Sequence, residues 1–209
     1  MEKLTEVKFY YDYKSPFAYL AFEPACALER SHHVCLRFIP HEIDIRRTLG
    51  GELHERPELA WRKVRYVYLD ARRFANERGL VIRGPQKIFD SRLALISGLY
   101  AGKSGKFRPY SARVFEGFFR RELDIEDPAA LERVMREVGL ETEDFSRYAD
   151  SEGADDLARA FAEGDRDKIF GVPTLVVDGE PFWGYDRLDW VVKRLDGLGL
   201  RRSKKLTAV

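Results

Sequence analysis

The segment Phe9 to Ala21 reads FYYDYKSPFAYLA, and its serine stands where an aromatic-rich run gives way to a helical one. A helix that begins at Ser15 offers unpaired main-chain N–H groups and a partial positive charge of about half an electron. An anion placed there is stabilised, and the Ser15 hydroxyl can donate to a thiolate or an oxyanion. Ser15 serves equally as a plain N-cap. A second segment, Phe170 to Trp190, reads FGVPTLVVDGEPFWGYDRLDW. Pro173 opens a strand there without the N–H that a ladder uses. Either the Val172–Pro173 bond is cis and turns the Val172 backbone toward a ligand, or Pro173 is simply a strand-start proline. Asp186 can meet a ligand ammonium group, or it can cap the last helix, with Asp189 favourable near the same dipole.

The elements that must position these residues are legible from period and punctuation. Val7 to Tyr13 reads as a strand, a helix from Ser15-Pro16 runs to about Arg30, and Val34 to Ile39 alternates as a second strand. Pro24 inside that helix predicts a kink. Strand, helix and strand in so short a stretch predict parallel pairing. From His41 to about Lys168 the pattern is helical. Helices are expected over 57–78, closed by Gly79, over 90–101, over 109–122, and from Asp127-Pro128 to Gly139, with two shorter ones over 142–148 and 151–163. Strand signal returns at Thr174–Val177. Asp178-Gly179 is a hairpin dipeptide, Glu180–Trp183 is its partner strand, and 186–195 is a last amphipathic helix. Neither flanking half has strands enough for its own core. The helical block therefore reads as an insertion into one small α/β domain, with residues 1–40 and 169–209 outside it and 41–168 within.

Composition narrows the function classes. The chain has 209 residues, 44% apolar and 34% charged, with 36 Lys and Arg against 35 Asp and Glu. A net charge of +1 argues against nucleic acid as a partner. No run approaches the roughly 20 apolar residues of a membrane span, and the first residues lack the apolar core of a signal peptide, so a cytoplasmic setting is expected. The two cysteines, Cys26 and Cys35, form neither a disulfide framework nor a C-x-x-C pair. The four histidines show no metal-binding spacing, and no metal is expected. The basic stretch Arg62 to Arg73 reads as a solvated helix face, Trp183 as core or as a pocket wall, and Cys26 as a buried structural thiol.

Taken in order, SPFAYLA, KVRYVYLDARRFA, GKFRPYSARVFEGFF, LDIEDPAAL, GVPTLVVDG and FWGYDRLDWV resemble the thioredoxin superfamily in its DsbA-like branch. Within it, the chain resembles the 2-hydroxychromene-2-carboxylate isomerase and kappa-class glutathione transferase family over nearly its whole length. The resemblance implies a thioredoxin-like βαβ…ββα fold with a large all-helical insertion, and glutathione as cofactor with its sulfur beside Ser15. It also implies that Val172, next to a cis Pro173, pairs its backbone with the cysteinyl part. Asp186 would contact the γ-glutamyl end, and Lys63 would lie near the glycine end or the substrate, or be a solvated helix lysine. DsbA-like redox enzymes carry C-x-x-C where this chain has Ser15-Pro16-Phe17-Ala18, so the thiol must come from the cofactor.

The implied chemistry is reversible thiolate addition to an unsaturated, aromatic-derived keto acid, with isomerisation before elimination. A small-molecule substrate is the expected partner, and family members are often dimers. Three positions depart from the family pattern. Gly50-Gly51-Glu52 stands where G-N is common, so an asparagine contact is missing or taken by another residue such as His54. Phe89-Asp90-Ser91 replaces F-N-S and adds a negative charge at Asp90. Tyr185 stands where kappa transferases often carry Ser, which favours the isomerase-like branch. A kappa-type transferase, or a thioredoxin-fold binding protein that has lost its thiols, are the alternatives.

Overall fold

A computed structural model describes residues 4–49 and 56–203. The family-pattern positions Gly50, Gly51, Glu52 and His54 lie outside the described residues. Four strands form one mixed sheet in the order β2-β1-β3-β4. β1 (Thr5–Tyr11) pairs parallel with β2 (Val34–Pro40), and antiparallel with β3 (Thr174–Val177), which pairs antiparallel with β4 (Glu180–Trp183). The expected βαβ…ββα order is therefore the observed one. Asp178 (φ 52°) and Gly179 (φ 78°) make the β3–β4 turn in the left-handed conformations that a two-residue hairpin needs.

β1 ends at Tyr11, two residues earlier than the sequence suggests. Asp12 is the reason. Its fully buried carboxylate accepts the Lys14 N–H at 3.0 Å and the Ile43 N–H at 2.8 Å. That turns the chain out of the sheet and ties the turn to the segment after β2. The Ser15 N–H closes the turn on the Asp12 carbonyl at 3.0 Å, and α1 (Pro16–Ser31) starts at once and continues through Pro24. Its apolar face, Ala18, Leu20, Ala21, Ala25 and Leu28, is buried.

The helical block runs α2 (Ile45–Leu49), α3 (Glu58–Glu77), α4 (Arg92–Lys103), α5 (Phe107–Arg120), α6 (Pro128–Glu137), α7 (Phe145–Asp150) and α8 (Glu152–Arg166). The sequence reading missed α2, although its signal is present: the Asp44 carboxylate accepts the Arg47 N–H at 2.9 Å, as an N-cap does. Asp127 caps α6 through Ala129 N–H at 2.9 Å. The last helix, α9 (Leu188–Gly197), begins later than expected, after a 3-10 turn over Tyr185–Arg187. Asp186 thus sits inside that turn, and Arg187 holds the N-cap position.

One apolar core joins the sheet to the block, from Val7, Phe9 and Tyr11 through Phe115, Phe119 and Leu131. On the other sheet face a polar knot fixes α8. Lys8 Nζ donates to Asp167 at 2.6 Å and reaches Glu163 at 2.8 Å, the Tyr10 hydroxyl donates to Asp167 at 2.6 Å, and Arg37 pairs with Glu163. The Arg37 hydrogen bonds, with Lys8, hold the Glu163 carboxyl well below its ordinary range, at about 2.

Candidate functional site

The N-terminus of α1 is where the fold concentrates donors. Pro16 has no N–H, and the Ala18 N–H is taken by the Ser15 hydroxyl at 3.1 Å and the Tyr19 N–H by the Ser15 carbonyl at 3.1 Å. The Phe17 N–H is left without a main-chain acceptor among the described residues. The Ser15 hydroxyl then donates to the Val172 carbonyl at 3.3 Å. That is long for an O–H···O contact, so the proton is weakly held. The Val172–Pro173 peptide is cis, the first of the two readings of that proline. The hydrogen bonds of the described residues give the Val172 N–H no backbone acceptor, so a peptide main chain can pair with it as an added strand would.

A cleft of about 290 Å³ opens beside this junction, lined by Phe17, Val172, Pro173, Tyr185 and Asp186. Asp70 and Phe74 close it from α3, and Trp183 from β4. Tyr185 is held edge-on against Phe74 with ring centroids 5.0 Å apart. Trp183, 54% exposed, rests edge-on against the exposed Phe170 at 4.8 Å. Its indole covers Gly171, where a Cβ would come within 2.7 Å of Nε1. Gly184 adopts φ 115° and passes so close to Asp186 that a Cβ would meet Oδ1 at 2.6 Å. The Asp186 carboxylate is exposed at the cleft mouth and pairs with Arg187 at 2.9 Å.

Five of the residues singled out from sequence are thus brought together: Ser15, Val172, Pro173, Tyr185 and Asp186. Ser15 itself is 3% exposed and stands just behind the cleft wall, reaching it through Val172. Lys63 is exposed and outside the cleft lining, on the α3 stripe of Asp70 and Phe74 but two turns nearer the helix start. Asp90 is placed elsewhere. Its carboxylate accepts the Arg92 N–H at 2.8 Å at the start of α4, and it lines a different hollow with Lys14, Glu42 and Asp44. The sequence reading missed Asp12, Lys14, Asp70 and Phe74. Asp12 and Lys14 carried a signal, since an Asp two residues before a helix-starting Lys-Ser-Pro suits a side-chain-to-backbone turn. Asp70 and Phe74 carried none beyond their helical spacing.

The donor set fits the tripeptide that the resemblance implies. Two carboxylates, Asp70 and Asp186, can meet an ammonium group; the Val172 N–H can pair with a peptide; the Phe17 N–H and the α1 dipole favour an anion. No protein thiol competes. Cys26 and Cys35 are free and half-buried, and burial pushes the Cys26 thiol up to about 11. Among the described residues no group of three or more His, Cys, Asp or Glu stands where a metal could be held, and no helix is long and apolar enough to cross a membrane.

Comparison with known proteins bears on the family and the fold. Residues 6–196 match the model of the DSBA-like thioredoxin domain. The chain is 30% identical over 190 residues to a 2-hydroxychromene-2-carboxylate isomerase of Pseudomonas putida, covering 87% of this chain and 90% of that one. It is 24% identical to the enzyme of the same name from Sphingobium xenophagum, covering 88% and 95%. Among solved structures, a 2-hydroxychromene-2-carboxylate isomerase superposes with a TM-score of 0.77 at 23% identity, covering 93% and 96% of the two chains. A probable DsbA oxidoreductase from Streptomyces coelicolor superposes with a TM-score of 0.73 at 19% identity, covering 98% and 94%.

Proposed function

Because the chain belongs to the DSBA-like thioredoxin-domain family, in its 2-hydroxychromene-2-carboxylate isomerase branch, we propose that it is a glutathione-dependent isomerase of an unsaturated, aromatic-derived keto acid. The observation that carries this reading is the contact between Ser15 and Val172: a hydroxyl at a helix N-terminus, touching the main chain of a Val-Pro step whose N–H is open. Bound glutathione supplies a thiol whose anion adds reversibly to a conjugated double bond, which lets the substrate change geometry about the bond. The protein's share of the work is positional and electrostatic. Val172 offers its N–H to the cofactor's main chain, Asp186 and Asp70 face its ammonium end, and the Ser15 hydroxyl with the Phe17 N–H stabilises negative charge on sulfur. The absence of cysteine from Ser15 to Ala18 removes dithiol–disulfide exchange from this site.

Isomerisation of 2-hydroxychromene-2-carboxylate, followed by absorbance with and without added glutathione, tests the reading. Turnover should require glutathione and should fall at least ten-fold in Ser15→Ala. Equal rates without glutathione would remove the cofactor from the assignment. A second reading, a thiol-free thioredoxin fold that binds peptides, draws on the exposed Phe170 and Trp183 beside the cleft; it predicts glutathione binding without turnover of any electrophile.

A further inference from the structure

On the far side of α3 lies a second cavity, of about 340 Å³. Trp61, Val64, Arg65, Tyr68 and Arg72 line it, whereas Asp70 and Phe74 face the Ser15 cleft. At 3.6 residues per turn these two sets fall on nearly opposite faces of the helix. The remaining walls come from Lys14, Ile45 and Arg56, from residues 84–89 and from Phe118 and Arg121 at the end of α5.

Among the described residues the charged groups that line this cavity are all basic: Lys14, Arg56, Arg65, Arg72, Lys87 and Arg121. Part of that charge is answered from outside the cavity, since Lys87 pairs with Asp124 and Glu126, Arg65 with Glu58 and Lys14 with Glu42. Arg72 and Arg121 differ. Each commits Nε to a main-chain carbonyl, Tyr68 at 2.8 Å and Gly84 at 2.7 Å. That bond orients the guanidinium without neutralising it, and among the described residues neither arginine pairs with a carboxylate. Burial raises the Tyr68 phenol above its ordinary range while Arg56, Arg72 and Arg121 oppose the shift, so all three guanidinium fields reach that hydroxyl.

The rest of the wall is aromatic and aliphatic: Trp61, with Arg56 over its ring at 5.5 Å, Phe89, Phe118 and Ile88. A volume at the lower end of the roughly 300–1,000 Å³ of small-molecule sites suits a ligand of one or two rings. Flat rings stack on aromatic walls, and a carboxylate matches the two-pronged donor geometry of arginine.

We propose that this cavity binds an aromatic carboxylate, with Arg72 and Arg121 holding the carboxylate and Trp61, Tyr68 and Phe89 enclosing the ring. Its identification as the substrate's docking site rests on the isomerase reading above. Lys14 lines this cavity and Phe17 lines the Ser15 cleft, so the short segment that carries the Ser15 hydroxyl reaches from the edge of one hollow to the edge of the other.

Coumarin-3-carboxylate, a stable planar acid, serves as the probe. It is titrated into the intact protein without glutathione, with coumarin as the uncharged control. Arg72→Gln keeps a good helix former, and Arg121→Asn suits the left-handed backbone at that position (φ 61°). Saturable binding should weaken at least ten-fold in each variant and for coumarin, with melting temperatures unchanged, and should be unaffected by Asp186→Asn. Equal affinity in both arginine variants, or equal binding of coumarin, would overturn the site. Probe binding that depends on the arginines in a protein that does not bind glutathione would leave this site standing and remove the glutathione reading. In turnover, both arginine variants should raise KM for the acid at least ten-fold with KM for glutathione unchanged; unchanged KM for the acid would overturn the substrate assignment.

Discussion

The Ser15 hydroxyl donates to the Val172 carbonyl at 3.3 Å across 157 residues of chain, while accepting the Ala18 N–H at 3.1 Å. One oxygen thus caps α1 and touches the Val-Pro step. Capping and charge stabilisation draw on the same group, and the two uses separate experimentally.

Ser15→Ala should lose both. The missing cap costs about 1 kcal/mol, a fall in Tm of roughly 2–4 °C for a chain of this size, and glutathione-dependent turnover should drop at least ten-fold. Ser15→Asn restores a cap of equal quality without the hydroxyl. Its Tm should return to the wild-type value while turnover stays low; a recovery of turnover with Tm would reduce Ser15 to a cap.

Asp186→Asn removes a carboxylate from the cleft mouth, where it is exposed and makes its contact with the adjacent Arg187. Stability should change by less than about 0.5 kcal/mol, as for surface substitutions generally. The glutathione Kd should rise at least ten-fold in calorimetry. The wild-type protein should gain about 2.7 kcal/mol at 100 times its Kd, and the variant correspondingly less at the same concentration.

Acid should loosen the α8 contact. The Glu163 carboxyl is depressed from 4.5 to about 2 by its hydrogen bonds to Arg37 and Lys8. Its contribution is therefore complete above pH about 4.5 and is lost as pH falls toward 2. With the side chain 17% exposed, Glu163→Gln should cost on the order of 1–2 kcal/mol at pH 7. In urea titrations the difference from wild type should shrink as pH falls through about 2; a difference that stays undiminished there would assign the loss to packing.

Two glycines of α4 should respond with opposite sign. A Cβ at Gly98 would lie 2.7 Å from the Tyr13 hydroxyl and 2.8 Å from the Tyr11 hydroxyl, both rings being fully buried. Gly98→Ala should destabilise by about 1–3 kcal/mol. Gly102 has nothing within 4 Å, and Gly102→Ala should stabilise by roughly 0.5–1 kcal/mol through helix propensity. Urea midpoints measure both.

The sequence by itself determined what local chemistry determines. Ser15-Pro16 starts a helix, Asp178-Gly179 turns a hairpin and Asp127 caps α6, because these signals act within a few residues of backbone. The order of elements followed, and with it the fold and the two segments that meet at the cleft. Tertiary structure decided which side chains share a cavity. Lys63 and Asp70 stand on one stripe of α3, yet Asp70 lines the Ser15 cleft and Lys63 does not. Asp90, a cofactor contact by family resemblance, lies at the start of α4 in another hollow. The strand stopped at Tyr11 because the Asp12 carboxylate found the Ile43 N–H 31 residues away. The arginine-lined cavity draws on α3, the 84–89 segment and the end of α5, which only packing brings side by side. Residue type sets what each group can do, but the partners of a side chain are fixed by how distant elements bury their apolar faces, and no local pattern encodes that distance.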